Sequence, residues 1–257
     1  MLPASLDFRR DGDVGVVELR RVAKRNALDD ETVLGLERLV TAPPDGVRAL
    51  VLCAAGDHFS AGLDLTEVPS RDLPASIAHS RSWHRAFEAL EHGTLPVVAA
   101  LQGATIGGGL ELAAACHVRV AERSAFYALP EGQRGIFLGG GGSVRLPRLI
   151  GTARVMDMLL TGRVYDAEEG HAIGISQYLV DAGAGRAKAL ELARRIAANA
   201  PFSNFAILQA LPRIADAPPS IGYLTEALVA GAASSNEEAK RRVRAFLEKR
   251  AAKVTKE

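Results

Sequence analysis

Several kinds of residue are scarce in this chain, and each scarcity closes a route. Its 257 residues include only two cysteines, Cys53 and Cys116. Both sit in apolar runs, so they read as small buried hydrophobes and not as a disulfide framework. The six histidines are scattered, with no His-x-x-x-His or Cys-x-x-Cys spacing, and a metal site is not expected. The formal net charge is +1, so no global electrostatic case arises for nucleic acid or an anionic membrane. No apolar run reaches the roughly 20 residues that span a bilayer. Met1-Leu2-Pro3-Ala4-Ser5 lacks a charged n-region and a long apolar stretch. No secretory signal is therefore expected, and the expected compartment is the cytoplasm, or an organelle matrix if a transit segment was removed.

Some catalytic patterns are missing too. Neither Gly107-Gly108-Gly109 nor the glycine run 139–142 is followed by Gly-Lys-Ser/Thr, so a nucleotide P-loop is a poor match. Ser60 and Ser143 lie outside any Gly-x-Ser-x-Gly, which withholds support from a serine-hydrolase elbow. The glycine spacing also fails the dinucleotide fingerprint.

What is present is an ordinary globular composition, 48% hydrophobic and 24% charged. The length accommodates one domain with an appendage, or two small domains. Val14 to Leu19 reads as a strand. Asp29-Asp30-Glu31 puts acidic residues at a helix start, where they suit the dipole. Val47 to Ala54 and Pro96 to Leu101 are continuous apolar strands of the kind buried on both faces. Residues 74–91 look helical, a helix starts at Gly108, and strands are expected over 117–121 and 125–129. Strand, glycine loop and helix alternate, which argues for α/β layers with a site at the strand ends. After residue 142 the chain turns mostly helical, with helices over 143–150, 152–161 and 184–200. From Pro201 no strand is expected. A boundary falls near Ala200, giving a core of residues 1–200 and a helical region of 201–257.

Two glutamates carry the chemistry. Glu111 lies three residues beyond Gly108, about one helical turn. It can flank the spot at which helix-start N–H groups are aimed. The helix that follows is alanine-rich and apolar, so a buried, tuned carboxylate is expected there. Glu131 follows Tyr127-Ala128-Leu129-Pro130, and by itself it reads as a surface residue after a proline. The loop Phe59-Ser60-Ala61-Gly62-Leu63-Asp64-Leu65 has small residues that let backbone approach a ligand, or that simply make a tight turn. Two carboxylates beside oxyanion-binding N–H groups describe proton chemistry next to a carbonyl.

Four segments, in order and spacing, resemble the enoyl-CoA hydratase/isomerase (crotonase) family. They are Arg25-Asn26-Ala27-Leu28, His58 to Leu65, Ile106 to Ala113, and Leu129-Pro130-Glu131 with Gly135-Ile136. The likeness runs from about Val14 to Arg250. It implies an α/β spiral of ββα units and a helical C-terminal region used in trimer contacts, often paired into hexamers. It implies an acyl-CoA thioester substrate, with coenzyme A as part of that substrate and no separate cofactor. By position, Leu63 and Gly108 would supply the oxyanion N–H groups, and Glu111 and Glu131 the acid–base pair. Arg25, Ala27, Ala61, Asp64, Leu65, Gly107 and Pro130 would contact the substrate or its CoA. Phe246 and Lys249 resemble tail positions that reach adenosine from a neighbouring subunit.

Retention of both glutamates favours hydration of a 2-enoyl-CoA. The alternatives are a Δ3-Δ2-enoyl-CoA isomerase, which the loop Phe59 to Glu67 also resembles, other crotonase-type acyl-CoA chemistry, and a non-catalytic acyl-CoA or RNA binder. The chain departs from the family at His117, where aspartate is usual. It also departs at Ala128 and Leu129, where hydratases often carry glycine and glutamine, and at Leu138, where proline is common. These departures bear on acyl specificity and on the support of the glutamates.

Overall fold

Aliphatic runs with a period of two build the main sheet. In the computed structural model, β1 (Leu6–Asp11), β2 (Val14–Leu19), β3 (Ala49–Ala54), β4 (Val97–Leu101), β6 (Val118–Glu122) and β9 (Tyr178–Val180) pair in that order. Only β1 and β2 run antiparallel; the other neighbours are parallel. A second sheet holds β5 (Ala104–Ile106), β7 (Phe126–Ala128) and β8 (Val164–Asp166). The structure describes residues 2–66, 71–248 and 250.

Parallel neighbours require crossovers, and helices supply them. Helix α1 (Asp30–Thr41) joins β2 to β3, α2 (Leu73–Glu91) joins β3 to β4, and β5 with α3 (Gly108–Ala115) joins β4 to β6. Asp29 caps α1 by accepting the Thr32 N–H at 2.9 Å, and Asp30 and Glu31 occupy its first turn. Asp72 caps α2 in the same way through Ala75. The chain continues through α4 (Gly142–Ile150), α5 (Thr152–Thr161), α6 (Ala167–Ala172) and α7 (Gly185–Ala197).

Alternating side chains divide the core between the two faces of the large sheet. Leu50, Leu52, Val97, Ala99 and Leu101 point into the cluster that also holds Leu36, Phe87 and Leu112. Val14, Val16, Val51, Val98 and Val120 face the other way, where Ala189, Leu192, Ala193 and Ala197 of α7 cover them. Three alanines at helical spacing let α7 lie close to the strands. Cys53 and Cys116 are buried, and burial pushes their thiols up to about 11 and about 12.

The chain divides into units Met1–Ala197 and Ala198–Glu257. The second unit holds α8 (Pro201–Gln209), α9 (Leu211–Asp216), α10 (Pro219–Ser235) and α11 (Glu237–Leu247). On α10, Ile221, Leu224 and Leu228 are exposed. No helix among the described residues is long and apolar enough to cross a membrane.

Four strands were not legible in the sequence. β5, β8 and β9 have three residues each, too short to display a period. β1 is a half-buried edge strand with Arg9 and Arg10 in its middle, so its pattern is mostly polar. Replacing Ala193 with Leu should lower stability by about 1–3 kcal/mol by forcing α7 off the sheet. The urea midpoint reads this effect directly.

Candidate active site

The loop after β3 is stitched to β5. Ser60 N–H donates to Ala104 O at 2.9 Å, and Ile106 N–H donates to Ser60 O at 3.0 Å. From below, the buried Asn26 side chain donates to Ala55 O at 2.9 Å and His58 O at 2.8 Å. Ser60 Oγ donates to Asn26 O at 2.8 Å and accepts the Gly62 N–H at 3.1 Å. Leu28 N–H donates to Gly62 O at 2.7 Å, and Asp64 N–H donates to Leu28 O at 2.8 Å. Those last two bonds bracket Leu63, whose own N–H meets no acceptor among the described residues. The N–H of Gly108, first residue of α3, likewise meets none.

These two nitrogens lie close together. Gly62 has φ +90°, and a Cβ there would fall 2.6 Å from Ile106 O and 3.1 Å from Gly108 N. A Cβ on Gly108 would fall 3.2 Å from Leu63 N. Only glycine permits both the left-handed turn and this approach. All eight residues of α3 are buried, so the positive end of its dipole acts in a medium that screens it poorly.

Glu111 is 3% exposed. Its Oε1 accepts the N–H of Gly140 at 2.9 Å and of Gly142 at 2.7 Å. Burial raises its carboxyl above the usual range, opposed by those two N–H groups and the Arg145 charge. Glu131 is 6% exposed, not the surface residue that its local sequence implies. Its Oε2 is buried without a hydrogen-bond partner among the described residues. A Cβ on Gly107 would fall 2.5 Å from Glu131 Oε1, which sets this carboxyl beside the glycine turn. Burial pushes Glu131 up to about 7, with the Glu111 charge adding to the rise. A cavity of about 270 Å³ is lined by Leu63, Gly108, Glu111, Glu131, Trp83 and Leu138, among others. A buried oxygen without a partner is costly unless a ligand or water completes it.

The Glu111 support continues outward. Arg145 donates to Gly140 O at 3.0 Å and to Glu91 Oε2 at 2.6 Å. His117 Nδ1 accepts the Val97 N–H at 2.9 Å, so the ring proton sits on Nε2, which donates to Glu91 O at 3.0 Å. Burial lowers the His117 pKa, so the ring is neutral. His117 therefore ties the end of α2 to β4 with an uncharged side chain.

Arg25 and Asn26 hold positive φ values of 50° and 54°, and Arg25 O accepts the Ala61 N–H at 2.9 Å. Ala27 O accepts from Arg21 at 2.6 Å. The Asp64 carboxylate accepts from Lys24 and Arg21, both at 2.8 Å. The Lys24 and Thr66 bonds, with Arg21, hold its pKa well below the usual range. Asp64 thus anchors the two loops through its side chain and its backbone N–H. Leu65 is exposed. Gly107 N–H donates to Ala128 O at 2.9 Å, two residues before Pro130. A second concavity of about 260 Å³ lies beside Arg25, bordered by Val22, Ala23, Asn26 and His58. Phe246 is exposed on α11 in the second unit. Lys249 lies outside the described residues.

The sequence model of the Enoyl-CoA hydratase/isomerase family matches residues 9–257. The chain belongs to this family. It is 33% identical to the enoyl-CoA hydratase EchA19 of Mycobacterium tuberculosis, over 97% of this chain and 95% of that protein. A solved chain from Rhodopseudomonas palustris is 56% identical and superposes with a TM-score of 0.94, covering 98% of this chain and 97% of its own. The enoyl-CoA hydratase structure from Bacillus anthracis is 28% identical, with a TM-score of 0.90 over 97% and 98% of the two chains. The fold is therefore the crotonase type of α/β architecture, and the protein is an enzyme of that family.

Within this crotonase-type fold, Arg145 and Glu91 had no recognisable signal in the sequence. They are a helix residue and a helix-end residue 54 positions apart, brought together by packing. The glycine run 139–142 was visible, but its use as a donor pair for Glu111 was not. Removing the Arg145 side chain, as Arg145→Met, should cost about 2 kcal/mol, since two bonds of a buried cation disappear. Thermal unfolding tests this.

The Glu131 shift fixes the sign of a pH effect. Its folded value is about 7 against an ordinary 4.5. Between those values the unfolded chain releases a proton that the folded chain keeps, so stability falls as pH rises and levels off above 7. Glu131→Gln should remove this loss. The variant should gain up to about 3 kcal/mol relative to wild type between pH 4.5 and pH 8, as read by urea unfolding at each pH.

Proposed function

We propose that the protein hydrates a 2-enoyl-CoA thioester. The observation that carries this reading is one small cavity bordered by two buried carboxyl groups and by two unpartnered backbone N–H groups. The thioester oxygen accepts the N–H of Leu63 and Gly108, which polarises the conjugated double bond. Water attacks the β-carbon, and the electron pair moves through the α-carbon toward the thioester, giving an enolate. Charge gathers on the oxygen held by the two donors. Losing one such donor typically costs about 3 kcal/mol of barrier.

Glu131 delivers a proton to the α-carbon. A carboxyl with a pKa of about 7 keeps a protonated fraction near neutral pH. Glu111, oriented by the N–H groups of Gly140 and Gly142, positions the water and takes its proton. The product is a 3-hydroxyacyl-CoA. Once the proton on Glu111 returns to Glu131 by exchange with solvent, the sum is addition of water, which is redox-neutral and needs no electron carrier. CoA enters as part of the substrate, its nucleotide end near the concavity beside Arg25. The exposed Ile221, Leu224 and Leu228 support self-association through α10, and the family resemblance makes a homotrimer, or a dimer of trimers, the assembly proposed.

Crotonyl-CoA should lose its conjugated absorbance with the enzyme, and Glu111→Gln and Glu131→Gln should each lower kcat by about 10²–10⁴. The kcat/KM should fall about tenfold per pH unit above 7, as Glu131 loses the proton that it donates. Wild-type rates in either variant would rule out the paired mechanism. Gain of absorbance from a 3-enoyl-CoA, with crotonyl-CoA untouched, would instead identify an isomerase.

A further inference from the structure

The two N–H groups that hold Glu111 belong to separate peptide units of a glycine run, and glycines have no side chains with which to fix those units. Each unit is held at its other end. A trans peptide points its C=O away from its N–H, so Gly139 O sets the aim of the Gly140 donor, and Gly141 O sets that of Gly142. Gly141 O is taken by the first turn of α4, where the N–H groups of Val144 and Arg145 both donate to it at 3.1 Å. Gly139 O lies before that helix. It accepts the Ser80 hydroxyl of α2 at 2.8 Å.

Ser80 is itself directed. Its one hydroxyl proton goes to Gly139, so Oγ accepts from His84 Nε2, which lies 3.3 Å away and one turn along α2. Arg81 Nη1 lies 3.4 Å from the other ring nitrogen, Nδ1, and a guanidinium only donates. Both contacts place the single ring proton on Nε2. Burial and the Arg81 charge lower the His84 pKa, which keeps the ring neutral near pH 7.

We propose that Ser80 is a positioning residue for the hydration. Through the peptide that joins Gly139 to Gly140 it aims the N–H that orients Glu111, and His84 sets the direction of its hydroxyl. This rests on the reading of Glu111 as the group that positions water and takes its proton. Glu111 is 3% exposed, so its carboxylate depends on those few donors in place of solvent. The run also lies against both of its oxygens. A Cβ on Gly142 would fall 2.9 Å from Oε1, and one on Gly140 would fall 3.2 Å from Oε2. A turned peptide at 139–140 would therefore remove one donor and crowd the carboxylate that remains. Ser80 lines the cavity as well, so direct contact with the acyl chain is the competing role.

The two roles separate in the kinetics of crotonyl-CoA hydration by the full-length protein. Ser80→Ala should lower kcat about tenfold and leave KM within about twofold, as loss of one hydrogen bond behind the reacting group implies. Ser80→Thr keeps the hydroxyl and should restore most of the rate. In Ser80→Ala the acid limb of the kcat profile should move to higher pH, because N–H donation favours the charged carboxylate and its loss adds to the effect of burial. Arg145 and Glu131, the charges that act on Glu111, are the same in both proteins, and a misfolded fraction cannot move the limb. In a Glu111→Gln background, Ser80→Ala should cost no more than about twofold, since the group it acts through is gone. A wild-type kcat in Ser80→Ala would overturn the proposal, and so would a raised KM at constant kcat. A tenfold loss that persists in the Glu111→Gln background would overturn it too. All three leave the hydratase reading standing. A wild type that does not hydrate crotonyl-CoA, or a Glu111→Gln variant at the wild-type rate, would overturn both.

Discussion

The rest of the site depends on two loops meeting at glycine. The turn at Gly62 and the start of α3 at Gly108 approach so closely that a Cβ on Gly62 would collide with the Ile106 carbonyl and one on Gly108 would crowd the Leu63 nitrogen. That approach sets the Leu63 and Gly108 N–H groups side by side, with no acceptor of their own among the described residues. Unpaired buried N–H groups cost free energy, and a fold keeps them only where the surrounding structure over-determines them. Here the Ser60 and Ile106 bonds to β5, the Asn26 side chain and the Asp64 ion pairs all press on the same turn. Donors held this rigidly need little reorganisation when charge develops on a ligand oxygen.

The two carboxyl groups are held differently, and the difference is chemical. Glu111 spends one oxygen on two N–H groups of the glycine run, whose Gly140 peptide is in turn held by Arg145. Glu131 keeps an oxygen without a partner. Burial raises both pKa values, and only Glu111 is opposed by donors from another loop. One carboxyl is thus fixed by backbone donors, and the other keeps an oxygen without a hydrogen-bond partner among the described residues. The neutral His117 holds the Glu91 backbone, while the Glu91 carboxylate supplies the charge that pairs with Arg145.

Some of this was legible one residue at a time. The buried strands were, because Leu50 and Leu52 alternate with Val51 and Cys53 and leave no polar face. The start of α1 was, because Asp29 can cap it and Asp30 and Glu31 suit its dipole. The glycine turn before Glu111 was, because helix-start N–H groups need no tertiary partner to be aimed. The four motifs in order made the family and its fold readable. The short strands β8 and β9 were not, since three residues carry no period. Glu131 was misleading, since a glutamate after proline is ordinarily solvated, and no neighbour in sequence says otherwise.

The sequence by itself determined the longer elements and their order, because hydrophobic period, capping and glycine act over a few residues. It also determined the family, because the spacing of the motifs is a property of the chain. Only the tertiary structure decided that the Glu131 carboxyl is buried, that one of its oxygens lacks a partner among the described residues, and that Arg145 and Glu91 meet behind Glu111. Burial and convergence are sums over residues distant in the chain, and local pattern carries no record of them.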